Sequence, residues 1–338
     1  MAPPTVPRRT LSPAFVALAL AAGLLAVLGV AAPASAAPTS VKSFYVSRYS
    51  LSWAYDRGCD AGRHDLTAAG AQRRYVVLDF GAMYKNASGT WMLTAFSGAD
   101  ISFPQARDMV AQWARGYWVC VGSDVESVAY VALGTNNSNG QQHITAEAGR
   151  RLAGAAKNAY QITTDGVSWY RQARPVGGND FEDWGRPAWL NGASRAWIDG
   201  YNGVSGARPM LNYGAAGGCP TSSVPGVGSC NAGLNAETIW RVSWSGTAYP
   251  LPEVYASSGA NAKQWRYLSK YAVTAHGSKF FFPGVMAQSG ACSQSAAGCP
   301  GTGNGPGAAW NQLDTQVNAD PATATTPGSP TNIWWGPR

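Results

Sequence analysis

The sequence predicts a single-domain (β/α)8 barrel of the TIM type, and three observations carry the prediction. Short runs rich in β-branched and aromatic residues alternate with longer amphipathic runs from about residue 43 to the end, the order that gives parallel strands joined by crossover helices. The strand-like runs number eight and the helix-like runs between them seven, the tally of one closed barrel. An open doubly wound sheet would carry a dinucleotide or phosphate fingerprint, and none occurs: Gly301-Thr302-Gly303-Asn304-Gly305 spaces its glycines alternately and follows no strand. With 338 residues, 46% of them hydrophobic, the chain has the material for one large core.

The elements follow in order. Strands are expected at 43–49, 75–84, 127–136, 174–183, 209–215, 249–256, 279–288 and 332–335. Helices are expected at 52–69, 103–117, 145–160, 193–201, 236–244, 261–273 and 307–317. The third helix starts on Thr145 as N-cap with Glu147 in its first turn, where a carboxylate meets the positive end of the dipole. The sixth shows Trp265, Leu268 and Ala272 on one stripe. Residues 319–330 are rich in Pro, Thr and Ala but run into Ile333-Trp334-Trp335, too apolar for a free end, so they read as a surface strap leading to the closing strand.

The N-terminus has a different character. Arg8 and Arg9 precede an apolar run from 14 to 32 and then Ala34-Ser35-Ala36, the pattern of a signal peptide spanning 1–36, which leaves the barrel domain at 37–338. No later stretch is apolar for the length of a membrane span, so no transmembrane anchor is expected after cleavage. The formal charge of +7 is mild, and its cations are scattered among acids rather than massed on one face; nucleic-acid binding is not expected. The chain is expected to act as a monomer.

Six cysteines, an even number, suit an oxidising compartment. Six allow fifteen pairings. The near neighbours Cys219/Cys230 and Cys292/Cys299 can each close a loop, which leaves Cys59 with Cys120. No C-x2-C spacing occurs, and with His64, His143 and His276 as the only histidines no metal or other cofactor is expected.

Barrel enzymes place their sites at the C-terminal ends of the strands. At those ends stand Asp79, Asn136, Asp180 with Glu182, Asn212 with Tyr213, Glu253 and Gln288. The sharpest segment, Gly177-Gly178-Asn179-Asp180-Phe181-Glu182-Asp183-Trp184, ends the fourth strand. Because side chains alternate along a strand, Asp180 and Glu182 point to one face, where repulsion and partial burial raise one carboxyl's pKa and leave the other ionised. Glu253, from the sixth strand, is the expected third carboxylate. Trp184 and Trp189 beside this motif, Tyr213 and Tyr255 at strand ends, and Trp53 and Trp91 after earlier strands are candidates for stacking on sugar faces.

The Asp180-x-Glu182 ending resembles that of the fourth strand in barrel-type chitinases and muramidases, and the chain has the look of an exported actinobacterial protein. The longer chitinase pattern D-x-x-D-x-D-x-E is interrupted, because Pro175 and Gly178 occupy its two earlier aspartate positions. The resemblance implies a secreted glycoside hydrolase acting on an extracellular or cell-wall polysaccharide. It implies Glu182 as general acid and Asp180 as the group that orients a 2-acetamido group or stabilises the cation; without an N-acetyl group, Asp180, Asp79 or Glu253 would serve as nucleophile or base. Asp79, Asn136, Trp184, Asn212, Tyr213, Tyr255 and Gln288 would then contact substrate. The alternative is an inactive barrel that binds glycans, with Asp180 or Glu182 held by Arg174 or backbone amides. A serine hydrolase is not supported, since no G-x-S-x-G follows a strand, and H-E-x-x-H and EF-hand loops are absent.

Overall fold

A computed structural model describes residues 36–136, 144–164, 171–182, 191–222 and 229–337. The strands are β1 (Val41–Tyr45), β2 (Arg73–Lys85), β3 (Trp91–Thr94), β4 (Asp100–Ser102), β5 (Val128–Asn136), β6 (Ala173–Asn179), β7 (Met210–Asn212), β8 (Ala248–Pro250), β9 (Val285–Ala287) and β10 (Pro330–Trp335). The helices are α1 (Leu51–Thr67), α2 (Phe103–Val121), α3 (Ala146–Thr164), α4 (Asn191–Asn202), α5 (Ala236–Trp244), α6 (Ala260–His276), α7 (Ser289–Ser293) and α8 (Pro306–Asn318).

Eight strands pair in parallel in the order β8-β7-β6-β5-β2-β1-β10-β9. The ring closes just beyond β8: Met286 N–H donates to the Pro252 carbonyl at 2.9 Å, Val254 N–H donates to the Met286 carbonyl at 2.9 Å, and Glu253 bridges Met286 in parallel. The fold is therefore the (β/α)8 barrel that the alternation predicts, with every expected strand and helix present. Strands β7, β8 and β9 are shorter than the apolar runs that announce them: β7 and β8 turn from pairing to loops in their C-terminal halves, whereas β9 pairs only near the C-terminal end of its run.

Two features lie outside the sequence expectation. The C-terminal part of β2 leaves the ring and pairs antiparallel with β3, which pairs with β4, so a hairpin rises over the mouth. Helix α7 adds one short turn after β9.

The period of two sorts side chains into two cores. Val77, Ala132, Val176, Leu211, Leu251, Met286 and Ile333 fill the barrel interior, whereas Val76, Leu78, Val131, Met210 and Val285 pack outward against the helices. Glycines on β5 and β6 leave room for the Tyr213 ring across the interior: a Cβ on Gly178 would stand 3.1 Å from its Cε1, and one on Gly134 would stand 2.8 Å from its hydroxyl.

Disulfides join Cys59 to Cys120, Cys219 to Cys230 and Cys292 to Cys299, the expected set. The first ties α1 to α2. The 319–330 segment is a strap as expected: the Trp310 indole N–H donates to the carbonyls of Pro327 and Gly328, and Gly328 N–H donates to the Phe282 carbonyl. Among the described residues, no helix is long and apolar enough to cross a membrane.

Candidate active site

Side-chain parity carries the interior core up to the mouth. Two residues beyond Val77 stands Asp79, four beyond Ala132 stands Asn136, and four and six beyond Val176 stand Asp180 and Glu182. Two beyond Leu251 stands Glu253, two beyond Met286 stands Gln288, and two beyond Ile333 stands Trp335. Polar and aromatic side chains thus replace aliphatic ones along the same inward rows as the strands reach their C-terminal ends.

They surround a cavity of about 400 Å³ lined by Tyr45, Phe96, Asn136, Asp180, Glu182, Glu253, Tyr255, Gln288 and Trp335, with Ala291, Ser295 and Cys299 along one wall. Carboxylate oxygens of Asp180, Glu182 and Glu253 lie within 4.8 Å of one another. The two strand segments that carry them, β6 and the extension of β8, are thus brought together as the sequence predicts.

Each carboxylate has its own setting. Asp180 is buried, and its N–H donates to the Thr135 carbonyl at 2.8 Å, which continues the β5–β6 pairing one step past β6. Glu182 is half-buried, and its Oε1 accepts the Ala215 N–H at 3.2 Å from the loop after β7. Glu253 is buried, and its Oε1 accepts the Tyr255 hydroxyl at 2.7 Å. Burial pushes the Glu253 carboxyl well above the usual carboxylate range, the charges of Glu182 and Asp180 push it further, and the Tyr255 hydroxyl pulls the other way. The raised carboxyl is thus Glu253, on the extension of β8, whereas parity along the fourth strand led to the expectation of a raised carboxyl within the Asp180–Glu182 pair.

Below the cavity lies a second layer. A β-bulge between Asp79 and Ala82 turns the chain at Gly81, whose φ of 80° is left-handed and whose Cβ would stand 2.1 Å from the Thr94 carbonyl oxygen, so only glycine fits. The turn lets Gly81 N–H donate to Asp79 Oδ1 at 2.8 Å, while Asn136 Nδ2 approaches Oδ2 at 3.4 Å. Burial raises the Asp79 carboxyl to about 7 against the pull of these donors. Tyr213, also buried, donates its hydroxyl to the Thr135 carbonyl at 2.7 Å. Burial, and next the charges on Asp79 and Asp180, keep its phenol protonated.

Several expected contacts are relocated. Asn212 is out of phase with the inward row: it lies among the outward side chains, Nδ2 donating to Ser243 Oγ of α5 and Oδ1 accepting Gly214 N–H, so it does not face the cavity. Asp79 and Tyr213 are in phase but one layer down, beneath the lining rather than in it. Arg174 is at the opposite end of the barrel, against the Tyr130 ring and hydroxyl, and cannot hold the carboxylates. Trp53 packs edge-on against Phe44, and Trp91 is buried in β3 with its indole N–H on Glu147, so neither lines the mouth. Trp184, Trp189, Asp183 and His143 lie outside the described residues.

Sequence reasoning missed three aromatic walls. Tyr45 packs on Phe96 and Trp335 with ring centroids 4.6 and 4.8 Å apart. Tyr45 and Trp335 meet because β1 pairs with β10 in the register Tyr45↔Trp335. Parity along the first and last strands could have found both; Phe96 arrives only with the unforeseen hairpin.

No family model matches the sequence, and no curated protein matches it. Among solved structures, an endo-1,4-beta-mannanase from Rhizomucor miehei is similar over 89% of this chain and 90% of its own, at 7% identity and a TM-score of 0.45. Concanavalin B is similar over 88% of this chain and 93% of its own, at 12% identity and a TM-score of 0.38.

Proposed function

We propose that the protein is an exported glycoside hydrolase that cleaves glycosidic bonds in an extracellular or cell-wall polysaccharide by carboxylate acid–base chemistry. The observation that carries this reading is the Asp180–Glu182–Glu253 cluster, three carboxylates within 4.8 Å in an aromatic-walled cavity at the C-terminal mouth of a barrel. Three such groups cannot all ionise together, so the cluster holds a proton at neutral pH and its titration belongs to the set.

Glu253 stores that proton, and Glu182, half-buried at the cavity wall, delivers it to the glycosidic oxygen as the C–O bond breaks. Asp180 faces the cation that develops at the sugar carbon, or orients a 2-acetamido group where the substrate carries one. Water then adds at that carbon and its proton returns to Glu182. Carboxylates this close match the short spacing of retaining rather than inverting enzymes, about 5 Å against more than about 6.5 Å. Tyr45, Phe96, Tyr255 and Trp335 supply ring faces for the apolar sides of a sugar, and Asn136 and Gln288 supply amides for its hydroxyls. Export is supported by the leader-like segment 1–36 and by three disulfides that consume every cysteine of the chain.

A glycan-binding barrel without turnover is the second reading. It is favoured by the donors on the cluster, Ala215 N–H on Glu182 and the Tyr255 hydroxyl on Glu253, which hold carboxylates in place. Reducing-end release on peptidoglycan, chitin and common plant and microbial polysaccharides separates the two. Release from one polymer establishes hydrolysis; retention of a polymer with no release on any establishes the binding barrel.

A further inference from the structure

A second concavity lies on the flank of the barrel, between the β2–β3 connection and helices α2 and α3. It is a groove of about 530 Å³, larger than the cavity at the mouth. Trp91 and Phe103 form its apolar part, and Arg107, Arg150, Arg151 and Asn158 its polar part. Such a wall, three guanidinium groups beside the half-buried Phe103 ring, presents planar donor forks for oxyanions, while the buried Trp91 ring, covered by Lys85 Nζ at 5.1 Å from its centroid, backs the wall from behind.

The charges nearby leave two of these arginines available. Arg107 is tied to its neighbour Asp108 at 2.8 Å. Glu147, outside the lining, takes Lys85 Nζ at 2.9 Å and the Trp91 indole N–H at 2.8 Å. Its carboxyl is held below its ordinary value by Trp91 first, then Lys85, with Arg151 the least of the causes. Arg150 and Arg151 are exposed and have no ion-pair partner within 4.0 Å among the described residues.

One element links the groove to the cavity. The hairpin that brings Phe96 to the cavity carries Trp91 at the other end of β3. Five residues of extended chain span at most about 17 Å, the reach of a few sugar units along a polymer.

We infer that this groove binds an acidic polysaccharide, holding its carboxylate or phosphate groups on Arg150 and Arg151 while a neighbouring stretch of the same polymer enters the cavity. The inference rests on the proposed function only for the choice of a polysaccharide, and binding is read without turnover, so the two readings fail separately.

The test is calorimetric titration of the full-length protein, and of Glu182→Gln, with polygalacturonate, with poly(glycerol phosphate) and with neutral dextran, at low and high salt. The expected result is binding of one or both acidic polymers, weaker at high salt, and none of dextran; the polymer that binds identifies the anion as carboxylate or phosphate. Arg150→Glu/Arg151→Glu should weaken that binding about tenfold or more with melting temperature unchanged, because charge-assisted hydrogen bonds are lost at exposed sites. Arg63→Glu/Lys263→Glu, the same charge change at exposed positions elsewhere, should leave it within about twofold. On an acidic substrate the first pair should raise KM and spare kcat. Binding of neither acidic polymer, equal binding of dextran, or equal loss in both charge-reversed pairs would overturn the inference.

Discussion

Glu253 bridges Met286 in the parallel pairing that closes the barrel, so the residue that completes the ring also delivers a buried carboxylate to the cavity. Ring closure and the carboxylate cluster meet at one residue: the Pro252 carbonyl and the Val254 N–H on either side of it are both spent on Met286. The Glu253 side chain is thereby fixed on the interior face, opposite Asp180 and Glu182. Its position is set by the fold rather than by a loop.

Tyr255→Phe tests the hydrogen bond on that carboxylate. The hydroxyl lowers the pKa of Glu253, so its removal moves the carboxyl further upward. If protonated Glu253 is the proton store, the alkaline limb of the kcat/KM profile moves to higher pH in the variant. An unchanged limb, or one moved to lower pH, would remove Glu253 from that role.

Asp79 makes a thermodynamic prediction. Its folded-state pKa of about 7 lies above the ordinary value near 4, so between those limits the folded chain holds a proton that the unfolded chain has released. Its contribution is therefore fully present below about pH 4 and is lost as pH rises toward about 7, a decline on the order of a few kcal/mol. Asp79→Asn, which cannot titrate, should show a visibly shallower fall in unfolding free energy over that window by denaturant titration. Parallel curves for the two proteins would show that Asp79 does not change protonation on folding.

The disulfides should divide by loop length. Cys59 and Cys120 are 61 residues apart, and losing that link as Cys59→Ser/Cys120→Ser should cost about 4 kcal/mol from the entropy regained by the unfolded chain. Cys292 and Cys299 are 7 apart and Cys299 lines the cavity, so Cys292→Ser/Cys299→Ser should cost less stability and act mainly on KM. Thermal melts under oxidising conditions read the first difference and steady-state kinetics the second.

Much of this was legible before the structure. Val77, Val176 and Leu251 announce their strands by composition, and counting by two from each reaches Asp79, Asp180 with Glu182, and Glu253. What composition does not give is the phase of a three-residue strand. Asn212 and Tyr213 are adjacent, and only the packing of Leu211 inside and Met210 outside shows that Tyr213 points in and Asn212 out. Nor does a local pattern reveal contacts closed by the ring itself, such as Tyr45 on Trp335, which depend on β1 finding β10. The β3–β4 hairpin was hidden for another reason: Trp91–Thr94 and Asp100–Ser102 are too short for periodicity, although Gly89 and Gly98, both with positive φ, mark their turns.

The central claim is that the three clustered carboxylates perform glycosidic hydrolysis. Its most direct test is the rate of reducing-end release by the wild type and by Asp180→Asn, Glu182→Gln and Glu253→Gln on the polymer the wild type degrades. Asp180→Asn and Glu182→Gln each remove a charge from a crowded cluster, Glu253→Gln replaces the carboxyl that holds the proton with a neutral amide, and Glu182→Gln keeps an oxygen for Ala215 N–H, so all three should fold with melting temperatures equal to or above the wild type. The account predicts that Glu182→Gln loses about 10²–10⁴-fold in kcat/KM and that the other two fall with it. Undiminished release by Glu182→Gln would contradict it.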